Sequence, residues 1–194
     1  MNILIVGDSY SADWTVKYPN KKGWVNYLSD HYNVTNLAQA GVGQYKIYKQ
    51  ICSVKLNNYD WIIINHTSPY RLHTIKHPIQ ANDLIRNSAD LIFSDIEHHY
   101  KKWKNFFNFS LKAAYKFFVY HFDKTYQEDI HQIFKNEIIN KLINKNYIDI
   151  NDIPLWDEIK EMYKGDCNHL NEHGNLILYE KVVSIIENGK TTRK

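Results

Sequence analysis

The stretch from Asn2 to Ser9, Asn-Ile-Leu-Ile-Val-Gly-Asp-Ser, decides the expected fold of this chain. Its apolar run is rich in β-branched residues and predicts a buried parallel strand. Gly7 then permits a sharp turn, which places Ser9 at the carboxyl end of that strand. Ligands of open α/β sheets bind at this edge, so Ser9 is a candidate nucleophile. Judged on these residues alone, a helix N-cap at Asp8 or Ser9 is the simpler interpretation.

The composition narrows the class of protein. A chain of 194 residues with 44% hydrophobic and 23% charged residues is typical of one globular domain with a substantial core. The net charge of +3 gives no strong attraction to nucleic acid, which is not expected as a partner. Cys52 and Cys167 are too few for a disulfide framework and indicate reduced thiols. The sequence has no secretory signal and no apolar run near the ~18 residues of a membrane span, so we expect a cytoplasmic protein.

Apolar strand patterns alternate with amphipathic helical patterns along the chain. The strand patterns lie at residues 34–38, 60–65 and 147–150, and the helical patterns lie at 24–32, 45–54 and 171–188. This alternation is typical of βαβ units, whose right-handed crossovers place helices on both faces of a parallel sheet. The sequence therefore predicts an α/β fold, a three-layer sandwich with a central parallel sheet, in a single domain over residues 1–194.

The middle of the chain differs from the rest. Residues 89–145 contain neither Pro nor Gly, which favours long helices and predicts a helical insertion before the last strand. Apolar residues, many of them aromatic, recur at helical spacing from Trp103 to Phe122, and a second such pattern follows at 126–144. The aromatic stripe indicates core packing or a homo-oligomer interface, and a lid or acyl pocket over Ser9 is the alternative.

A second chemical motif lies near the C-terminus. Asp166-Cys167-Asn168-His169 is an Asp-x-x-His motif on a loop that leads into the last helix. Because a turn brings residues three apart to one side, Asp166 can hold one ring nitrogen of His169 and leave the other free to accept a hydroxyl proton. With Ser9, these residues supply the nucleophile, base and orienting carboxylate of an acyl-transfer triad. Asp-x-x-His alone is a weak signal, and its position before the closing helix gives it weight.

Taken together, the motifs resemble the SGNH hydrolases, also called the GDSL esterase/lipase family. Gly7-Asp8-Ser9 resembles the first family block, Asn36-Leu37-Ala38-Gln39-Ala40-Gly41 the second and residues 166–169 the last, in the family order. The resemblance implies a flavodoxin-like SGNH hydrolase fold and a catalytic triad of Ser9, His169 and Asp166. It also implies an oxyanion hole that includes the backbone N–H groups of Ser9 and Gly41.

The block after the third strand departs from the family pattern. Family members usually carry Gly-x-Asn-Asp there, and the Asn side chain is the third oxyanion donor, whereas this chain has Asn65-His66-Thr67-Ser68. The resemblance gives this role to Asn65, with the hydroxyls of Thr67 and Ser68 as alternatives. A missing donor typically costs about 10²–10³ in turnover, so a slow enzyme or a catalytically silent protein is compatible with this departure.

The resemblance implies a serine esterase that hydrolyses a small acyl ester, expected to be an O-acetyl group, on a small molecule or a carbohydrate. An acyltransferase on the same scaffold is one alternative, because hydrolysis and acyl transfer differ only in the last step. A catalytically silent binding or assembly protein is the other. No cofactor and no metal ion are expected.

Three further residues are predicted to contact the substrate. Arg71 follows the third strand, where a guanidinium can pair with a substrate carboxylate or phosphate, although an exposed loop charge is the simpler interpretation. Tyr10 and Trp14 follow Ser9 closely and are expected to line the pocket.

Two histidines after the third strand have the spacing of a metal-binding pair. His73 and His77 have the i, i+4 spacing of metal ligands, but Pro69 and Pro78 flank them and argue against a continuous helix. No neighbouring carboxylate or cysteine completes a metal site in the sequence. The pattern therefore predicts a surface loop.

Overall fold

The sheet is parallel throughout. The computed structural model describes residues 1–80, 82–105, 107–165 and 169–191, and only the backbone of Lys104, Lys190 and Thr191. Within these residues, four strands form one sheet in the order β2-β1-β3-β4. The strands are β1 (Asn2–Val6), β2 (Asn33–Asn36), β3 (Trp61–Ile64) and β4 (Tyr147–Asp149). An order of 2-1-3-4 is that of flavodoxin-like, doubly wound folds.

The helices lie between and after the strands. They are α1 (Trp24–Ser29), α2 (Gln44–Cys52), α3 (Phe93–Tyr100), α4 (Phe109–Tyr120), α5 (Lys124–Leu142), α6 (Trp156–Met162) and α7 (Glu172–Thr191). Helices α1 and α7 pack against each other, and α2 packs against α5. In the described part of the chain, no helix combines the length and apolar character needed to cross a membrane.

Alternate residues of the central strands serve two cores, one on each face of the sheet. Ile3, Ile5 and Ile63 pack with residues of α1 and α7 on one face. Leu4 and Ile62 pack with residues of α2 and α5 on the other face. Strand β1 is almost completely buried, as expected for the centre of a parallel sheet covered on both sides. The predicted three-layer α/β sandwich is confirmed.

The helical middle of the chain divides into two parts. Helix α5 belongs to the layer formed with α2 and connects β3 to β4, as the crossover helix of a βαβ unit does. Helices α3 and α4 pack on each other around a small separate core of Ile96, Leu111 and Phe118.

The aromatic stripe from Trp103 to Phe122 does not form one helix. Asn108 ends the preceding irregular segment and begins α4, because its Oδ1 accepts a hydrogen bond from the N–H of Leu111 (2.9 Å). Core packing accounts for Leu111 and Phe118, whereas Trp103 and Phe107 are 86% and 81% exposed. The stripe therefore has a buried part in α4 and an exposed part before it.

Candidate active site

Ser9 and His169 meet although 160 residues separate them in sequence. The hydroxyl oxygen of Ser9 lies 2.8 Å from Nε2 of His169, and the hydroxyl donates in the tautomer whose proton is on Nδ1. Ser9 follows β1 by three residues, and His169 precedes α7 by three. The backbone of His169 is left-handed, with φ of +56°, a strained conformation that recurs at functional sites. Its carbonyl accepts a hydrogen bond from the N–H of Gly165 (3.3 Å).

Gly7 produces the turn that presents Ser9. With φ of +155°, its backbone passes so close to β3 that an added Cβ would lie 2.9 Å from both Cβ and the carbonyl oxygen of Asn65. The side chain of Gln50 makes two hydrogen bonds to Gly7. Its Oε1 accepts from the N–H of Gly7 (2.8 Å), and its Nε2 donates to the carbonyl of Gly7 (3.2 Å). A side chain at position 7 would push these two strand ends apart and move Ser9.

Tyr10 and Trp14 contact the pair in different ways. The Tyr10 ring lies 4.6 Å from the His169 ring between centroids. The indole N–H of Trp14 donates to the carbonyl of Ser9 (3.0 Å), so Trp14 fixes the backbone of the candidate nucleophile. Asp166, the predicted orienting carboxylate, lies outside the described residues, as does Cys167.

Asp8 is a buried carboxylate directly behind the pair. Its Oδ1 accepts hydrogen bonds from the N–H of Tyr10 (3.0 Å) and from Nδ2 of Asn65 (2.7 Å). Burial raises the pKa of Asp8 above its ordinary value, and the Tyr10 hydrogen bond and the charges of Arg71 and His169 offset only part of this effect. Asp8 thereby joins the end of β1 to the end of β3.

The surroundings of His169 favour the neutral imidazole. Burial of the ring lowers the pKa of His169 below its ordinary value. The negative charge of Asp8 acts in the opposite direction, and the positive charge of Arg71 lowers the pKa further. A ring that is neutral near pH 7 can accept the hydroxyl proton of Ser9.

Gly41 lies in the loop after β2, where its φ is +80°. A Cβ at this position would lie 2.8 Å from Cβ of Ala89, so glycine is required for both conformation and space. The carbonyl of Gly41 accepts hydrogen bonds from the N–H of Asp90 (2.8 Å) and from Nη1 of Arg71 (3.4 Å). These contacts fix the loop that carries the predicted second oxyanion donor.

The three predicted candidates for the third oxyanion donor lie in different environments. Asn65 directly follows β3, is buried and donates to Asp8. Thr67 is also buried, and its carbonyl accepts a hydrogen bond from His131 (3.0 Å). Ser68 is exposed, and its hydroxyl accepts the N–H of Tyr70 (3.3 Å) in a local turn. Asn65 is therefore the candidate held firmly at the end of the sheet.

The segment with Arg71 and the two histidines is more buried than an exposed loop. Arg71 is half-buried, which corrects the simpler interpretation as an exposed loop charge. His77 is buried, and its Nδ1 accepts hydrogen bonds from the N–H groups of Ile79 (3.1 Å) and Gln80 (3.0 Å). The predicted surface loop is therefore wrong for His77, because this side chain orders the segment from inside. His73 is exposed and lies 3.2 Å from Asp90.

Sequence analysis missed two buried charge networks beside the site. Asp90, whose side chain is fully buried, binds Lys46 (2.8 Å) and accepts hydrogen bonds from the N–H groups of Gly43 (2.6 Å) and Thr74 (2.9 Å). It joins the loop after β2 to the segment after β3. The only local signal was an isolated carboxylate between Ala89 and Leu91.

The second network is a histidine–carboxylate pair at the ends of β3 and β4. His66 Nε2 lies 3.3 Å from Asp149, and its Nδ1 lies 2.6 Å from the amide nitrogen of Gln44. Burial raises the pKa of Asp149, but the contact with His66, the hydrogen bond from the N–H of Asn151 and the charge of Lys135 outweigh this effect, so the net pKa lies below its ordinary value.

One cavity borders His169, and a second cavity borders Arg71. One, of about 520 Å³, is lined by Tyr10, His169, Lys160 and Lys164 among others. The other, of about 290 Å³, lies beyond Arg71 between α2 and α5. Among the residues that the structure describes, no group of three or more His, Cys, Asp or Glu side chains is arranged to hold a metal ion.

Known proteins resemble this chain in structure but not in sequence. The chain matches no protein-family model and no curated protein. It is similar to the solved structure of a proposed lipolytic protein of the G-D-S-L family from Desulfitobacterium hafniense, with 11% identity over 95% of this chain and 98% of that chain and a TM-score of 0.41. A similarity at this level assigns no function to this chain.

Proposed function

We propose that this protein is a serine esterase of the SGNH/GDSL type, with Ser9 as nucleophile and His169 as general base. The observation that supports this proposal most directly is the 2.8 Å contact between the Ser9 hydroxyl and Nε2 of His169 at the carboxyl edge of a parallel sheet. The lowered pKa of His169 adds support, because the base must be neutral to accept a proton.

The reaction begins at the Ser9 hydroxyl. Its oxygen bonds to the ester carbonyl carbon while its proton moves to Nε2 of His169. Backbone N–H groups of Ser9 and Gly41 hold the oxygen that becomes negative. The tetrahedral intermediate then expels the alcohol, which takes the proton from His169, and water releases the acyl group from Ser9 by the same steps.

Asn65 and Asp166 complete the proposed machinery. Nδ2 of Asn65 has two hydrogens, and one of them is used by Asp8, so the second is available as the third oxyanion donor. Asp166 is proposed to hold Nδ1 of His169 and to stabilise the imidazolium. The proposed substrate is a small acyl ester, such as an O-acetyl group on a carbohydrate, and a homo-oligomer through the aromatic segment is part of the same proposal.

Hydrolysis of p-nitrophenyl acetate tests the proposal. We expect Ser9→Ala and His169→Ala each to lower kcat by at least ~10³-fold, and the double variant to add little, because the two residues act as a unit. Ser110→Ala is the matched control, since Ser110 is exposed on α4. Equal rates for wild type and Ser9→Ala would contradict the proposal.

A fluorophosphonate probe separates the alternatives. Stoichiometric labelling that is lost only in Ser9→Ala supports an active serine, whereas no labelling of wild type favours a catalytically silent binding or assembly protein. If an added alcohol or sugar captures the acyl group better than water does, the protein is an acyltransferase on the same scaffold.

A further inference from the structure

The cavity beyond Arg71 has a wall that is apolar and aromatic over most of its surface. Its volume is about 290 Å³, near the lower limit for a ligand pocket. Side chains of α2 and α5 form much of the wall, including Tyr45, Tyr126, Ile130 and Phe134. Such a wall suits a short apolar arm of a substrate.

Arg71 is the charged group of this wall that forms no ion pair within the described residues. Within the described residues, no carboxylate lies within ion-pair distance (4.0 Å) of its guanidinium, and its Nε is buried without a hydrogen-bond acceptor. Its Nη1 donates to the carbonyl of Gly41 at 3.4 Å. Leaving a buried N–H of a guanidinium without an acceptor is unfavourable, and an anionic ligand would supply that acceptor.

The other ionisable groups of the wall are already satisfied. Asp90 is neutralised by Lys46 at 2.8 Å and also contacts His73. Burial lowers the pKa of His131, which favours its neutral form. Neither group can serve as the counter-ion of Arg71, so the wall presents a net positive charge at one point.

Arg71 also lies within electrostatic range of the reacting pair. Its charge acts on both His169 and Asp8, and its Nη1 contacts the loop with the proposed oxyanion donor. A ligand that pairs with Arg71 therefore contacts the wall of the apolar cavity and lies within electrostatic range of His169. The planar guanidinium offers two parallel N–H donors, the geometry that carboxylates and phosphates accept.

We propose that Arg71 binds an anionic group of the substrate, so that the preferred ester carries a carboxylate or phosphate on a short apolar arm seated in the cavity lined by α2 and α5. This inference rests on the proposed esterase function and names its substrate class. It makes Arg71 a specificity-determining residue.

A matched set of esters tests the inference. The set is p-nitrophenyl hydrogen adipate, its neutral methyl ester and p-nitrophenyl 5-phosphonopentanoate, each assayed for kcat and KM. We expect wild type to prefer an anionic ester over the neutral one by about tenfold or more in kcat/KM. Comparison of the two anionic esters then shows whether the recognised group is a carboxylate or a phosphate. In Arg71→Gln this preference falls at least tenfold, mainly through KM, and Arg71→Lys recovers part of it.

Arg86→Gln is the matched control, because Arg86 lies 3.7 Å from Asp83 and does not line the cavity. The ratio of anionic to neutral ester stays at the wild-type value in this variant. An unchanged ratio in Arg71→Gln, or an equal fall for all three esters, overturns the inference.

A binding measurement separates this inference from the proposed function. Titration calorimetry of Ser9→Ala with the p-nitroanilide analogue of the adipate ester measures recognition without turnover. We expect Arg71→Gln, added to Ser9→Ala, to weaken Kd at least tenfold, and an equal Kd overturns the inference. If no ester is turned over in a Ser9-dependent manner but this binding persists, the esterase proposal fails and anion recognition by Arg71 stands.

Discussion

Substitution of Gly41 by Ala probes the loop that holds the proposed oxyanion donor. An added Cβ at this position would lie 2.8 Å from Cβ of Ala89, and the backbone would keep a φ of +80°. A non-glycine residue in this region costs about 1–2 kcal/mol. Overpacking a buried contact costs about 1–3 kcal/mol more. We therefore expect Gly41→Ala to lower the free energy of unfolding by about 2–5 kcal/mol.

A double-mutant cycle separates the two costs. Ala89 is buried, and Ala89→Gly removes the atom that the new methyl group would meet, at a cost of its own of about 1 kcal/mol. Because the clash is absent in the double variant, its loss of stability is smaller than the sum of the single losses by about 1–3 kcal/mol. The backbone strain at position 41 remains in both variants that carry the new methyl group.

Urea unfolding and turnover of p-nitrophenyl acetate provide the two measurements. Losses that add to within about 0.5 kcal/mol would refute the contact between positions 41 and 89. If Gly41 supplies an oxyanion donor, displacing its N–H lowers kcat by up to about 10²–10³-fold. A folded Gly41→Ala variant with wild-type kcat would refute that role.

Two further predictions concern charge. Burial and the charge of Arg71 lower the pKa of His169, so we expect the acid limb of the kcat/KM profile to have its midpoint below the ordinary value of about 6.5. We expect Arg71→Gln to move this midpoint to higher pH, and a shift to lower pH would contradict this reasoning. Lys46→Met removes the ammonium group that pairs with the buried carboxylate of Asp90, so we expect the free energy of unfolding in urea to fall by about 3–5 kcal/mol. Lys49 is exposed on the same helix, and we expect Lys49→Met to change this free energy little.

The sheet could be predicted because its signal is local. The apolar runs in β1 and β3 are long enough to identify buried strands. The observed bounds of β1 equal the predicted ones, and those of β3 differ by one residue at each end. Strand β2 was predicted to continue to Ala38 but ends at Asn36. Beyond Asn36, the N–H of Leu37 still donates to the carbonyl of Ile5 (2.8 Å), but the N–H of Ala38 is taken by the side chain of Asn36 (2.9 Å), which also donates to the carbonyl of Ser11 (2.8 Å).

The candidate site could be predicted only in part, for a physical reason. Ser9 and His169 belong to short motifs at element ends, so topology alone brings them to one edge. The pair of Lys46 and Asp90 has no such signal, since it depends on tertiary packing across 44 residues. Whether Arg71 forms an ion pair likewise depends on which carboxylates lie near it in the folded chain. None does so among the described residues, and the sequence carries no local signal of this.

The separation of Ser9 and His169 along the chain has a consequence for folding. All four strands precede α7 in the chain, and the imidazole reaches the hydroxyl only when the segment ahead of α7 is in place. The proposed nucleophile is therefore inactive in a nascent chain that has not yet released its last helix. Local opening at His169, ahead of α7, would also stop acyl chemistry while α7 and the strands stay packed, so we expect loss of activity during gentle heating to precede loss of the sheet.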